Sequence, residues 1–178
     1  GGAKSAKVAR IIYGAGEHMA VIRAVQSCDQ EAVALPMLAN GHYDIEWLSA
    51  EISKANETGD RLMIVVQQVN NETAVIQPIA DIEDLLRDTD HLLILDAAQG
   101  FGKTQFFFDP SRVDAMAVSA HKIGGPVGVG ALIVKPAMDS AKLIPGGGQE
   151  QGRRGGTEGA SLISGFGVAA ESAKARFD

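Results

Sequence analysis

Val113-Asp-Ala-Met-Ala-Val-Ser-Ala120, running on into His121-Lys122-Ile-Gly-Gly-Pro126-Val-Gly-Val-Gly130, decides how the rest of the chain is read. The first eight residues have the apolar content of a buried strand. Lysine usually occupies solvated faces, yet here one follows the strand directly, at the carboxyl end where open α/β sheets take their ligands. Ser119 and His121 flank Lys122 as hydrogen-bonding groups, and the glycines beyond it let backbone approach a bulky ligand closely. A lysine whose amine is freed by desolvation and by neighbouring cations has the chemistry of a Schiff-base nucleophile. The same letters also describe a surface lysine in a glycine-rich turn.

Moving outward, the chain alternates strand and helix patterns. Val8 to Tyr13 reads as a strand, Gly14-Ala-Gly16 as a turn, and Glu17 to Ser27 as a helix with Val21, Ile22 and Val25 on one face. His18 then opens a helix just past a strand end. Cys28 closes that helix and reads as a small packed hydrophobe. Glu31 to Leu35 is a second strand, Asn40-Gly41-His42 a turn with His42 exposed, and Asp44 the N-cap of a helix through Trp47, Leu48, Ile52 and Lys54. Leu62 to Val66 is a β-branched run suited to a parallel sheet covered on both faces. It ends in Gln67-Gln68-Val69-Asn70-Asn71-Glu72, which reads either as turn chemistry or as a ligand contact.

Pro78 favours a helix start, and Ile79, Ile82, Leu85 and Leu86 give it an apolar stripe. His91 to Leu95 is the next strand, and Asp96 follows it directly. That carboxylate either needs a cationic or donor partner at the sheet or caps a helix. Gln99 lies just beyond. A phenylalanine loop (Phe101, Phe106, Phe107, Phe108) leads to the lysine strand, and Ala131 to Val134 is expected to return antiparallel to it. The loop Gly146 to Thr157 carries paired arginines, and Leu162, Phe166, Ala169, Ala170, Ala173 and Phe177 mark a last amphipathic helix.

This alternation argues an α/β fold, a mostly parallel central sheet with helices on both faces. The 178 residues fit one domain. Net charge is −6, without a basic stripe, which argues against a nucleic-acid partner. No apolar stretch approaches about 20 residues, which argues against a membrane span, and the amino-terminal residues lack the apolar core of a signal peptide. With one cysteine and no leader, a soluble cytoplasmic protein is expected. The chain opens almost directly into a strand without an initiator methionine and reads as a piece of something longer.

His18, Asn71, Asp96, Gln99, Ser119, His121 and Lys122 all lie just beyond apolar runs, and their joint placement on one edge is what a ligand site needs. These are the parts that pyridoxal phosphate requires. An amine bonds its aldehyde, a carboxylate keeps the pyridine nitrogen protonated, an imidazole stacks and shuttles a proton, and hydroxyl and imidazole groups bind phosphate. No metal is called for.

Six stretches carry a resemblance: Glu17-His18-Met-Ala-Val, Val69-Asn-Asn-Glu72, Asp96-Ala-Ala-Gln99-Gly-Phe-Gly-Lys103, Ser119 to Pro126, Gly128-Val-Gly-Ala-Leu132, and Gly146-Gly-Gly-Gln-Glu150 through Arg154-Gly-Gly-Thr157. In this order, over nearly the whole chain, they resemble the class V aminotransferases of fold type I, most of all the cysteine desulfurases. The resemblance implies a pyridoxal-phosphate-transferase large domain. In it Lys122 is the cofactor lysine, Asp96 the pyridine partner, Gln99 the phenolate contact and His18 the stacking acid/base. Asn71 would lie near cofactor and substrate, Ser119 and His121 would hold the phosphate, and Thr157 would reach the phosphate of a partner subunit in a homodimer. It further implies L-cysteine as substrate and a sulfur-accepting or iron-sulfur scaffold protein as partner.

The family's upstream phosphate-binding turn, its sulfur-accepting cysteine loop, its substrate-carboxylate arginine and its small domain have no counterpart among these residues. Val127 stands where many members have lysine, and Cys28, on the His18 helix, does not replace the missing thiol. The 178 residues alone are therefore expected to be inactive. A selenocysteine lyase or an aminotransferase of the same class is the alternative enzyme, and a non-catalytic dimerisation module the alternative of another kind.

Overall fold

The computed structural model describes residues 7–105, 108–138 and 144–176. Phe106, Phe107 and Phe177 lie outside the described residues, as do the first six. Six strands, β1 (Val8–Gly14), β2 (Glu31–Leu35), β3 (Arg61–Gln67), β4 (Leu92–Asp96), β5 (Ala115–Ser119) and β6 (Gly130–Val134), form one sheet in the order β2-β1-β3-β4-β5-β6. All pairings are parallel except β5 with β6, which run antiparallel as expected for the short connection between them.

Alternation along the strands divides the core. Ile12, Leu62, Ile64, Val66, Leu93, Leu95, Met116 and Val118 point to one face, where they pack with Leu48, Ile52 and Ala55 of α2 (Ile45–Thr58) and Ile79, Ile82 and Leu86 of α3 (Ile79–Leu86). Ile11 and Val65 point to the other and meet Val25 and Val21 of α1 (Met19–Gln26). Helices thus cover both faces of a mostly parallel sheet. The central strands are near-continuous apolar runs because both of their faces are covered.

Local chemistry sets the helix ends. The side chain of Asp44 accepts from Trp47 N at 2.9 Å to cap α2, and Gly59, at φ 75°, ends it. Glu51, buried on α2, is satisfied by Arg10 of β1 at 2.9 Å and by Lys54 at 2.6 Å. The last helix, α4 (Ala160–Lys174), lies against the residues after β5, and its Phe166 ring meets Phe101 edge-on at 6.2 Å. Its apolar pattern is only partly buried: Ala173 is enclosed, while Leu162, Ile163 and Val168 are exposed.

Two expectations need correcting. Cys28 is exposed, not packed, because α1 ends before it and its sulfur reaches back over the surface to Ala24 O at 3.4 Å. His42 is half-buried, since its turn folds back onto the Met37–Tyr43 bridge. No helix among the described residues is long and apolar enough to cross a membrane.

Candidate active site

Parallel pairing brings the carboxyl ends of β1, β3, β4 and β5 to one edge. The register aligns Gln67 with Asp96 and Asp96 with Ala117, so the polar residues that follow each strand emerge at the same level. Six of the eight residues singled out from the sequence are brought there within a few residues of these strand ends; Asn71 follows in the turn after β3, and Thr157 stands apart.

His18 follows β1 and is the N-cap of α1. Its Nδ1 accepts from Ala20 N at 3.1 Å, which leaves Nε2 to carry the proton of the neutral ring. The ring is exposed. Asp96 is the last residue of β4 and half-buried. Its Oδ1 accepts from Ala98 N at 2.9 Å, so of the two sequence readings the carboxylate does cap, but what it caps is the short turn after β4 and not a helix. Gln99, in that turn, accepts on Oε1 from Lys103 Nζ at 3.1 Å. The Lys103 amine is held below the ordinary lysine range by burial and by the charge of Lys122.

Ser119 ends β5, and its Oγ lies 2.9 Å from His121 Nδ1, so hydroxyl and imidazole form a preassembled pair. A one-turn 3₁₀ segment (Ala120–Ile123) then carries His121 and Lys122 outward and closes on Gly124, which has φ 87°. Lys122 is exposed in this structure, so solvent is not stripped from its amine as the strand reading had anticipated; the neighbouring cation is Lys103.

The amides after β3 divide the two roles the sequence left open. Asn70 does turn chemistry, accepting on Oδ1 from Glu72 N at 2.9 Å and Thr73 N at 2.8 Å while its Nδ2 donates to Gly16 O at 3.0 Å. Asn71 is half-buried and donates only to the adjacent Glu72 carboxylate at 2.9 Å. Thr157 is exposed in the loop before α4 and joins the others by no hydrogen bond among the described residues.

A group that sequence reading did not single out lies just beneath this edge. Glu17 is buried, and its Oε1 accepts from the Tyr43 hydroxyl at 2.5 Å and from Gln67 N at 2.6 Å. Its Oε2 is buried, with no hydrogen-bond partner among the described residues. Burial pushes this carboxyl up to about 7; the Tyr43 and Gln67 donors oppose the rise and nearby Asp96 adds to it. Burial and the Glu17 charge likewise push the Tyr43 hydroxyl upward. The available sequence signal was a carboxylate enclosed between a Gly-Ala-Gly turn and a helix start.

The donor set fits the cofactor that the resemblance implies. A free amine, a strand-end carboxylate with one oxygen uncommitted, an exposed imidazole and a hydroxyl–imidazole pair stand on one edge, and the glycines there leave room for backbone approach. Among the described residues no group of three or more His, Cys, Asp or Glu side chains is placed to hold a metal ion.

Comparison with known proteins agrees. Residues 3–174 match the family described as aminotransferase class-V, a pyridoxal-phosphate-dependent family. The cysteine desulfurase IscS of Rickettsia typhi is 41% identical over 166 residues, covering 90% of this chain and 39% of the relative. The solved structure of SspA in complex with cysteine superposes with a TM-score of 0.81 at 35% identity, over 92% of this chain and 47% of that one. The NifS-like protein from Rickettsia africae gives 0.84 at 30% identity, over 93% and 45%. The chain spans about two-fifths of the length of the curated relatives it matches. With the family matched over nearly its whole length and the lysine, aspartate and imidazole standing at one sheet edge, the chain belongs to the class-V aminotransferases.

Proposed function

We propose that these residues are the cofactor-binding large-domain portion of a cysteine desulfurase, which takes the sulfur of L-cysteine onto an enzyme thiol and releases L-alanine. The observation that carries the reading is the convergence of Lys122, Asp96, His18 and the Ser119–His121 pair on the carboxyl edge of β1, β4 and β5. It is supported by relatives named cysteine desulfurase and by a neighbour solved with cysteine.

Pyridoxal phosphate, when bound, supplies an electron sink for the amino acid's α-carbon. The chain's own groups do the rest. Lys122 presents the amine that holds the cofactor and then moves a proton at the substrate's α-carbon. Asp96 keeps the pyridine nitrogen protonated through its uncommitted oxygen, and Gln99 donates to the phenolate. His18 would stack on the ring, with Nε2 left to carry the proton because Nδ1 accepts from Ala20 N. Ser119 and His121 would bind the phosphate, Asn71 would lie near cofactor and substrate, and Thr157 would reach the phosphate of a partner subunit in a homodimer. A sulfur-accepting protein, an iron-sulfur scaffold among the candidates, takes the sulfur onward.

The thiol does not come from Cys28. The helix that precedes it runs from the carboxyl end of β1 back toward the start of β2, so Cys28 stands at the opposite edge of the sheet. Borohydride reduction and peptide mapping of the full-length protein loaded with pyridoxal phosphate test the assignment. The pyridoxyl group is expected on Lys122 and absent from Lys122→Ala, and a label on another lysine overturns it. Sulfide release from cysteine by these residues alone is expected to be nil.

A further inference from the structure

We propose that Glu17 is the positioning residue of the cofactor edge: its buried carboxyl joins the β1–α1 turn, the loop before α2 and the end of β3, and so fixes His18 relative to Asp96. The proposal rests on the functional reading above, since it gives those two residues their roles.

Three segments far apart in sequence meet on this one side chain. Tyr43, from the loop before α2, donates to Oε1 at 2.5 Å, and Gln67 N, at the last residue of β3, donates at 2.6 Å. Gln67 is the register partner of Asp96. The turn that presents Glu17 is fastened a second time, because the Gln67 and Asn70 side-chain amides both donate to Gly16 O. The anchor also leaves little room in the turn before it: a Cβ on Gly14 would stand 2.2 Å from the Tyr43 hydroxyl and 2.6 Å from Glu17 Oε1, while one on Gly16 would displace the end of the Met37 side chain, 2.4 Å away. His18 is the next residue, so the exposed imidazole is carried on a buried anchor.

An amide would serve as well if acceptance were all the site needed. What distinguishes a carboxyl is Oε2, buried and without a partner beside a second carboxylate, Asp96. The titratable groups that face it are Tyr43 from the loop before α2 and Asp96 from β4; the end of β3 contributes the Gln67 amide. When Glu17 ionises, its charge adds to that of Asp96, and the edge attracts a protonated ring more strongly. By linkage, a cation bound at Asp96 draws the proton off Glu17.

The test is a carbon-13 and nitrogen-15 NMR titration of the 178-residue chain without cofactor. The Glu17 carboxyl carbon is expected to titrate near pH 7, with the Gln67 and Ala98 amides moving at the same midpoint. In Glu17→Gln, which keeps an acceptor for both donors, that step should vanish from Gln67 and Ala98. Tyr43→Phe removes a donor that favours the charged form and should move the midpoint upward, a response that a merely structural side chain would not give. A Glu17 midpoint below pH 5, or a Gln67 or Ala98 amide that stays still across it, overturns the proposal. These readouts need no cofactor, so a failed pyridoxyl label on Lys122 would count against the functional reading alone.

Discussion

Ionisation of the Glu17 carboxyl makes the fold weaker as pH rises, the reverse of the usual carboxylate. Below pH 4.5 the group is protonated in both folded and unfolded chains. Between 4.5 and about 7 the unfolded chain has already released the proton that the folded chain still holds, so stability falls across that window and stays low above it. The shift corresponds to a loss on the order of 3 kcal/mol from this group. His91 acts in the opposite sense. Burial, with the Arg61 charge, lowers its pKa, and its Nδ1 accepts from Leu62 N at 3.1 Å, so the stability it gives is present above the unfolded imidazole's value and lost as pH falls. Urea midpoints at pH 5 and pH 8 for wild type and Glu17→Gln separate the two: the difference between the proteins should grow by roughly that amount toward pH 8, and parallel curves would refute it. Glu17 was not legible as an anchor because its partners lie 26 and 50 residues away in sequence. Lys122 and Asp96 were legible as strand-end residues because each lies within three residues of the apolar run of its own strand.

Elements whose ends are set by neighbouring residues were read most faithfully. Asp44→Ala removes the cap of α2 and should cost about 1 kcal/mol in chemical denaturation. Gly124 offers a sharper comparison. A Cβ there meets nothing within 4 Å, so Gly124→Ala should cost only the left-handed backbone penalty, about 1 kcal/mol, whereas at Gly130 a Cβ would stand 2.6 Å from Val118 O and the strand itself must shift. Equal losses for the two variants, by thermal melts, would show that space is not what separates them. Elements that depend on distant surroundings were harder to read. The apolar stripe of α4 marks a helix correctly, yet nothing in its spacing says that Leu162 and Val168 stay in water. Cys28 has the composition of a core residue, but its place beyond the end of α1 exposes it.

Across the whole molecule, the strand and helix alternation foretold a mostly parallel sheet covered on both faces, and the polar residues after successive strands foretold the edge at which they gather. What the letters did not carry is the division of the core, with α2 and α3 over one face and α1 over the other. Leu95, fully enclosed on the larger side, tests that division: Leu95→Ala should destabilise by about 3 kcal/mol, read as a shift in urea midpoint with unchanged slope. The strand order has a consequence for how the molecule comes into being. From β4 onward each strand pairs with the one made just before it, while β2 and β3 are laid down on either side of β1. A ribosome releasing this chain therefore never leaves a gap in the sheet to be filled by a later strand, and each addition closes a loop of modest length. The edge that bears His18 and Asp96 takes shape before Lys122 emerges, so that lysine arrives on a platform already built.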